Sequence, residues 1–368
     1  MKVALVHDWL LTEGGAEKSF SEIWKLFPGD VYTLFYQEKK MGSLPFSVDK
    51  VHTSFLQKLP LSDRYHRYLF PFFPSAIEQF GLLDADLILS SSHAVAKGIR
   101  KKKEQLHICY CYTPIRYAWD LKETYLKSFG FLSKALASFL LERVRKWDLE
   151  ASSRVDEFIA ISHYVAKRIK NNYKRDSKVI YPPVLIDQFF IGRQKQNYYV
   201  THARFVPYKR IDLLVEAFNH MPDKKLVIVG EGPEEKNLKA IASRNIEFVG
   251  RVEDKVLYQI LAEAKAYVFA AEEDFGIGVV EALASGLPVI ALKKGGAVEI
   301  LKENLSGIFF QEPSIASFIE AVSLFEKKED SFDPLCIQRE SRRFSVEVFR
   351  KEFYSYIEKV REEANTLR

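Results

Sequence analysis

Short apolar runs alternate with longer stretches of helical periodicity along this chain, and that alternation restricts the possible folds more than any other feature. The runs of the first half are VALVHDW, ADLILSSS, HICYCY and DEFIAIS. Those of the second half are NYYVTHARF, KLVIVGEGP, NIEFVG, AYVFA and GLPVIAL. Because short strands that precede helices build parallel sheets, we expect helices on the faces of each sheet. The predicted fold class is α/β, with two doubly wound, Rossmann-like domains.

The length of 368 residues exceeds what one typical core holds, so two domains are expected. Two prolines in YPPV, residues 181–184, interrupt any regular element and mark the predicted boundary. We expect an N-terminal domain over residues 1–185, a C-terminal domain over 186–340 and a helical tail over 341–368 that packs back on the N-terminal domain. Ligands of such folds bind at the carboxyl ends of the strands, so the site is expected in a cleft there.

Charge and cysteine content exclude several classes of protein. The net charge of +5 comes from 54 basic and 49 acidic side chains, too small an excess to indicate nucleic acid. The three cysteines provide neither a disulfide framework nor a four-ligand zinc site. No signal peptide opens the sequence, and no run of about eighteen apolar residues lacks charges. We therefore expect a cytoplasmic protein.

The densest group of chemically useful residues lies between positions 271 and 301. Glu273 follows the run AYVFA, a turn with Gly276 comes next, and a helix is predicted to begin near Ile277. Backbone N–H groups at such a helix start suit a phosphate or a developing negative charge. Glu281, about one turn into the helix, could accept hydrogen bonds from the diol of a ribose. By spacing alone, the two glutamates could equally be solvated helix residues.

The flanking residues strengthen this interpretation. The segment EEDFGIGVVEALASGLPVIALKKGGAVEIL resembles the signature of family 4 retaining glycosyltransferases of the GT-B fold. The resemblance implies transfer of a sugar from a nucleotide sugar held by the C-terminal domain. It assigns the ribose to Glu281. It assigns the donor and its transferred sugar to residues of one loop: Glu273, Asp274, Phe275, Gly276 and Ile277.

Two cations in ARFVPYKRIDLLVEAF form the second matching segment. Arg204 follows a strand and Lys209 precedes a helix, so both could offset the charge on a departing nucleoside diphosphate. The residues alone leave open that they are surface cations. The resemblance makes Arg204, Lys209 and Glu273 the catalytic residues, with no protein nucleophile, no cofactor and no metal. The Asp84-Ala85-Asp86 motif precedes its strand, so it is interpreted as a solvated turn and not as a metal site.

Two glycine turns complete the predicted donor site. Gly14 and Gly15 follow the first strand, where small residues let backbone amides approach an oxyanion. The pattern is not a full G-x-G-x-x-G, so dinucleotide binding is not indicated. In the resembling family this turn faces the donor diphosphate and the acceptor. FVGR matches the family's base-binding loop, which assigns the nucleobase to Arg251.

The segments LSSSHAVAKGI and HICYCYTPIRYAWDL resemble a bacterial branch of mannosyltransferases of surface polysaccharide assembly. Tyr112 stands where that branch usually has a histidine near the transferred sugar, and a tyrosine cannot shuttle protons near neutral pH. The predicted sugar and acceptor vicinity comprises His7, Asp8, His93, Tyr112 and Arg116. The remaining histidines, His202 among them, have no partner spacing and are interpreted as structural.

Basic and aromatic residues concentrate in RYHRYLFPFFPSAIEQF and YLKSFGFLSKALASFLLERVRKW, residues 64–80 and 125–147. This composition suits contact with one face of a membrane, and equally a core helix with charged flanks. The inner membrane face is therefore a second possible location.

The predicted function is transfer of a hexose with retention, with mannose favoured, from a GDP-sugar or alternatively a UDP-sugar. The acceptor would be a saccharide or a lipid-linked saccharide. The alternatives are a non-catalytic sugar-nucleotide-binding or scaffold protein, and a non-hydrolysing sugar-nucleotide epimerase on the same fold.

Overall fold

A computed structural model describes residues 1–41, 44–60, 62, 66–120, 126 and 131–366. The chain divides into two compact units. The N-terminal unit is Met1–Pro183 together with Phe349–Arg368, and the C-terminal unit is Val184–Val348. Each unit is an α/β structure built on one parallel sheet, so the predicted fold class is confirmed.

Within the described residues, the N-terminal unit has a seven-stranded parallel sheet in the order β3-β2-β1-β4-β5-β6-β7. The strands are β1 Val3–His7, β2 Asp30–Thr33, β3 Val51–Thr53, β4 Leu87–Ser92, β5 Leu106–Cys111, β6 Glu157–Ala160 and β7 Lys178–Val179. All side chains of the central strands β4 and β5 are buried. Burial on both faces is typical of a parallel sheet covered by helices.

The described part of the N-terminal unit before residue 184 contains helices α1 Gly15–Leu26, α2 Phe73–Glu78, α3 Phe131–Ser152 and α4 His163–Tyr173. Short 3-10 helices span Glu38–Lys40, Val48–Lys50, Phe55–Lys58, His66–Phe72 and Ala96–Gly98. Residues 121–125 and 127–130, which include the start of the basic and aromatic segment 125–147, lie outside the described residues.

A buried ion pair joins two of these elements. Lys97, in the 3-10 turn after β4, and Asp148 of α3 are both fully buried, with Nζ 2.8 Å from Oδ1. Asp148 Oδ2 also accepts hydrogen bonds from Trp119 Nε1 at 2.8 Å and from the Tyr173 hydroxyl at 2.7 Å. A buried charge is tolerated when it is paired and hydrogen-bonded in this way. The pair therefore fixes α3 against the edge of the sheet where β4 ends.

The C-terminal unit, as far as it is described, has a six-stranded parallel sheet in the order β10-β9-β8-β11-β12-β13. The strands are β8 Tyr198–His202, β9 Lys225–Val229, β10 Ile246–Gly250, β11 Ala266–Phe269, β12 Val289–Leu292 and β13 Gly307–Phe310. Its helices are α5 Ile211–Asn219, α6 Glu235–Ile241, α7 Asp254–Glu263, α8 Ile277–Ala284, α9 Ala297–Ile300, α10 Ile315–Lys328 and α11 Pro334–Ser341. Its 3-10 helices are Ile186–Gln188, Pro207–Lys209, Glu329–Ser331 and Arg342–Phe344.

The last helix, α12 Val346–Thr366, lies in the N-terminal unit from Phe349 onward. The rings of Phe349 and Phe353 lie edge-on to Tyr110 of β5, with centroids 5.7 and 5.8 Å away. Arg350 donates from Nε and Nη2 to Glu22 Oε2 of α1 at 2.7 and 2.6 Å. Apolar rings and a charged pair thus hold this helix to the N-terminal sheet. Among the described residues, no helix has the length and apolar character needed to cross a bilayer.

Candidate functional site

Lys209 and Glu273 meet at the carboxyl edge of the C-terminal sheet. Lys209 ends the 3-10 turn after β8, and Glu273 lies in the loop after β11. Lys209 Nζ lies 2.5 Å from Glu273 Oε1, and the two side chains are 21% and 16% exposed. Such a charge-assisted hydrogen bond is among the stronger ones in proteins. The structure therefore brings together two of the predicted catalytic residues, and Arg204 is exposed on the same β8–α5 connection.

Two glycines fix the loop that carries Glu273. Gly295 has φ +68°, and a Cβ there would lie 2.4 Å from the Glu273 carbonyl oxygen. A Cβ at Gly296 would lie 2.3 Å from the Phe275 carbonyl oxygen, and the Gly296 N–H donates to the Glu273 carbonyl at 2.8 Å. Because no side chain fits at either position, the loop lies directly on the backbone that follows β12.

The loop then turns into α8 through Gly276. Its φ of +107° belongs to the region that glycine adopts without steric cost, and its position before Ile277 makes it the helix N-cap. No side chain caps this helix start. The Phe275 ring is buried and packs edge-on against Phe344 at 5.4 Å, so it supports the loop from inside the unit. Asp274 is half-buried beside it.

Glu281 lies in the second turn of α8 and contacts a residue that the sequence did not single out. Its Oε2 is 2.6 Å from Nε2 of His202, the last residue of β8. The Tyr267 hydroxyl donates to the His202 carbonyl at 3.3 Å. Burial, and next the charge of Glu281, raise the pKa of Tyr267, so this phenol stays neutral. His202 was interpreted as structural, and its position two residues before Arg204 was the signal that could have marked it.

The loops after β9 and β10 carry the predicted nucleobase contact. Gly230 has φ +132°, and a Cβ there would lie 2.0 Å from the Ala203 carbonyl oxygen, so this turn packs against the end of β8. Arg251 is 79% exposed, and its Nη1 lies 3.7 Å from Glu231 Oε1. An exposed ion pair of this kind contributes little free energy, so a ligand could replace Glu231 as the partner of the guanidinium with little loss.

In the N-terminal unit, Asp8 organises the turn after β4. Its fully buried carboxylate accepts four backbone N–H bonds of 2.6 to 2.9 Å, from residues 93–96. Burial opposes the charged form, but the charge of a protonated His93 and these N–H groups outweigh it and lower the pKa of Asp8. Both carboxylate oxygens of Asp8 therefore accept hydrogen bonds from the backbone, whereas the sequence suggested a contact with a sugar.

His7, Ser91 and Tyr112 form a buried chain of hydrogen bonds. His7 Nδ1 lies 3.1 Å from Ser91 Oγ, which is 2.9 Å from the Tyr112 hydroxyl. That hydroxyl donates to the Ala16 carbonyl at 2.8 Å. Burial raises the pKa of Tyr112, so it remains protonated. In this structure the Tyr112 hydroxyl thus ties β5 to the first turn of α1.

The predicted glycine turn also has partners within the unit. Gly14 is the N-cap of α1, which begins at Gly15, and its N–H donates to Glu17 Oε2 at 3.0 Å. Glu17 Oε1 lies 3.7 Å from His7 Nε2. The Gly14 N–H, which the sequence assigned to an oxyanion of the ligand, thus donates to Glu17 in this structure.

His93 and Arg116 are the more accessible members of the predicted acceptor group. The His93 ring is 25% exposed, lies edge-on to Trp9 at 4.5 Å and places Nδ1 3.2 Å from Asp8 Oδ2. Burial lowers the pKa of His93, although Asp8 opposes this. Arg116 is half-buried. Of the five residues predicted near the sugar and acceptor, His93 and Arg116 are therefore partly exposed, and the other three are buried.

The Asp84 and Asp86 pair lies before β4, at the amino edge of the sheet. Asp84 forms an exposed ion pair of 2.6 Å with Lys2 Nζ, and Asp86 accepts from the Lys2 backbone N–H at 2.8 Å. In the described part of the chain, no group of three or more His, Cys, Asp or Glu side chains could hold a metal ion.

Two parallel-sheet, Rossmann-like units define the GT-B class of glycosyltransferase folds. A crystal structure of Anabaena HepE in complex with UDP and glucose has the same fold, with a TM-score of 0.72 and 18% identity over 97% of this chain and 99% of that chain. Residues 186–341 match the model of the family Glycosyl transferases group 1. The matched region lies within the C-terminal unit and contains Lys209, Glu273 and Glu281.

Two curated relatives are mannosyltransferases. The alpha-1,3/1,6-mannosyltransferase ALG2 of Mus musculus is 25% identical over 77% of this chain and 74% of its own length. A GDP-mannose-dependent phosphatidylinositol monomannoside mannosyltransferase of Corynebacterium glutamicum is 37% identical over 27% of this chain and 30% of its own length. The first three curated relatives are matched over 20% to 47% of their own lengths. The chain is thus similar to glycosyltransferases in its C-terminal unit by sequence and over nearly its whole length by fold.

Proposed function

We propose that this protein transfers a hexose from a nucleoside-diphosphate sugar to a saccharide or lipid-linked saccharide, with retention of the anomeric configuration. The observation that carries the proposal is the cluster of Lys209, Glu273 and Glu281 at one edge of the C-terminal sheet. Two connections of that sheet supply these groups: the one after β8 carries Lys209, and the one between β11 and β12 carries both carboxylates, which we assign to the transferred sugar and to the ribose. Ligands of doubly wound sheets bind at this edge.

The diphosphate would lie between the cations and the start of α8. Lys209 and Arg204 carry fixed positive charge, and the backbone N–H groups after Gly276 have no side-chain cap. Both features stabilise an anion, and their effect grows as the departing diphosphate gains charge. Lys209 is now paired with Glu273, so a bound diphosphate would become a second anionic partner for this lysine.

The proposed reaction needs no protein nucleophile. The acceptor hydroxyl oxygen forms a bond to the anomeric carbon while the bond from that carbon to the diphosphate oxygen breaks. The hydroxyl proton passes to the departing diphosphate, on the same face of the sugar. Lys209 and Arg204 then hold the charge of the leaving group, which is the electrostatic form of catalysis.

Mannose as the sugar and GDP as the nucleotide are supported by the two mannosyltransferases among the relatives, one of which is GDP-mannose-dependent by name. The UDP complex of the similar HepE structure keeps UDP as the second candidate. We place the chain in the mannosyltransferase branch of surface polysaccharide assembly on the segments that contain His93 and Tyr112. Neither a metal nor a cofactor is part of the proposal.

A membrane-associated acceptor is supported by one face of α3. Leu136 and Phe139 are 61% and 60% exposed, and Arg143 and Lys146 follow them at helical spacing on the same face. An exposed apolar pair followed by basic residues fits the boundary of an anionic lipid surface. We propose that this face, defined by these four residues, contacts the inner face of a membrane.

Thermal unfolding against a panel of nucleoside diphosphates and sugar nucleotides tests the donor. A ligand that binds only the folded protein at a hundredfold excess over its Kd adds about 2.7 kcal/mol to the free energy of unfolding. We expect GDP or UDP, and one of their hexose conjugates, to raise Tm. A panel with no stabilising nucleotide would contradict the proposal. Stabilisation by a sugar nucleotide with no turnover of it would instead favour the non-catalytic alternative.

A further inference from the structure

His202 and Glu281 stand 79 residues apart in the sequence and form one unit in the structure. Nε2 lies 2.6 Å from Oε2, and the two side chains are 16% and 19% exposed. A carboxylate only accepts hydrogen bonds, so the hydrogen lies on Nε2. A charge-assisted bond of this length in a partly buried place restricts the orientation of the carboxylate.

The surroundings of His202 are shaped to hold its ring. A Cβ at Gly278 would lie 3.2 Å from His202 Nε2 and 2.7 Å from the Tyr267 hydroxyl, so glycine leaves the space that the imidazole occupies. The rings of His202 and Tyr267 lie 5.3 Å apart, and the Tyr267 hydroxyl donates to the His202 carbonyl. Strands β8 and β11 and helix α8 therefore fix the histidine from three sides.

We propose that His202 is a positioning residue that orients Glu281 toward the ribose of the donor nucleotide. This inference rests on the proposed function, in which Glu281 holds the ribose. A glutamate side chain loses rotamer freedom when it binds a ligand, and a partner that orders it beforehand removes part of that cost. Each carboxylate oxygen has two lone pairs, so a bond from His202 is compatible with bonds from a diol.

The test compares two substitutions that differ in where they place an N–H group. In His202→Gln the amide nitrogen lies near the position of Nε2, whereas in His202→Asn it lies near that of Nδ1. The probes are GDP, UDP and their 2′-deoxy forms, each titrated calorimetrically. The control is His220→Asn, a change at an exposed histidine after α5.

In the wild type we expect the ribonucleotide to bind about tenfold more tightly than its 2′-deoxy form. This ratio corresponds to the free energy of one hydrogen bond between the 2′-hydroxyl and a charged group. His202→Gln and His220→Asn should keep that preference. His202→Asn should lose most of this preference, because its affinity for the ribonucleotide falls while that for the 2′-deoxy form does not. It should also raise KM for the sugar nucleotide with little change in kcat.

Three results would overturn the inference while leaving the proposed transfer reaction intact. In the first, His202→Asn keeps the preference for the ribonucleotide over its 2′-deoxy form. In the second, His202→Asn loses the same affinity for both forms. In the third, the wild type binds the two forms equally. Binding of neither GDP nor UDP to the wild type would instead contradict the proposed function itself.

Discussion

Lys209 Nζ donates to Glu273 Oε1 across 2.5 Å, and this contact joins the connection after β8 to the loop after β11. The two strands are neighbours in the sheet, so their carboxyl ends lie side by side. Removal of either partner leaves the other charge without this contact at a partly buried position. The pair therefore links the two connections, and its lysine is one of the two cations that we propose for the diphosphate.

Lys209→Ala should lower kcat by about 100-fold to 1000-fold, because it removes one fixed donor to the charge of the leaving group. The measurement is the initial rate of nucleoside diphosphate release. Lys225→Ala is the matched control, since it removes a second lysine–glutamate contact, of 2.7 Å to Glu247, at an exposed place. A Lys209→Ala rate within twofold of the control would show that this lysine does not assist departure.

Asp8→Asn should destabilise the protein by about 3 kcal/mol or more, because an amide cannot accept four backbone hydrogen bonds in this geometry. Urea unfolding at neutral pH gives the value, with the exposed Asp84→Asn as control. The pKa of Asp8 is lowered in the folded state, so its contribution is present at neutral pH and is lost as pH falls through that pKa. The gap between wild type and Asp8→Asn should therefore narrow below about pH 4, and a gap that stays constant would argue against a charged Asp8.

His107 gives a pH dependence of stability over a different range. Its ring is fully buried, Nε2 lies 2.7 Å from Ser90 Oγ, and burial lowers its pKa to about 4. Because the folded-state pKa of His107 lies below its unfolded value, the folded protein favours the neutral ring. The contribution of His107 to the free energy of unfolding is therefore complete above about pH 6.5 and declines as pH falls toward 4. The decline from this group is about 3 kcal/mol.

His107→Gln should remove that part of the decline, since glutamine can keep the contact with Ser90 and does not titrate. The check is the free energy of unfolding of both proteins from pH 7 to pH 4. Parallel curves for the two proteins would mean that His107 does not control stability in this range.

The membrane proposal predicts a loss of binding when the apolar part of the α3 face is removed. The double substitution Leu136→Ser with Phe139→Ser should lower partitioning onto phosphatidylserine-containing vesicles by about tenfold or more, given the apolar area withdrawn. Leu335→Ser is the control, because Leu335 is 59% exposed but lies in the C-terminal unit. Equal sedimentation of the double variant and the control would rule out this face.

Much of the fold could be predicted from the sequence because its central strands are apolar and each is followed by a glycine turn or a helix. β1, β4, β8, β9 and β11 lie within runs that the sequence marked, and β5 begins one residue before its run. β2, β3, β7 and β13 were not predicted: DVYT, VHT and KV are short and partly polar, and GIFF is apolar but only four residues long. Such strands form because a neighbouring strand provides their backbone hydrogen-bond partners. That neighbour cannot be identified from the local sequence.

The sequence could predict those site residues that are placed by the order of strands and loops. It could not predict the contacts that side chains make in the folded chain. Lys209, Glu273 and Glu281 follow strands, so the parallel topology alone brings them to one edge. The bond between His202 and Glu281 and the four bonds to Asp8 depend on tertiary structure. The sequence could not show that Asp8 and Tyr112 would have their polar atoms engaged by the protein itself.

Calorimetric titration of GDP and UDP into the wild type and Glu281→Gln tests the central claim. That claim is that the C-terminal unit holds a nucleotide through Lys209, Glu273 and Glu281, which lie after β8, after β11 and in α8. We predict that one of the two binds the wild type with a Kd between about 1 μM and 1 mM, the range usual for substrates. Its affinity should fall about tenfold in Glu281→Gln, where the charge that strengthens the ribose contact is lost. No binding of either nucleotide to the wild type, or equal affinity in the variant, would contradict the account.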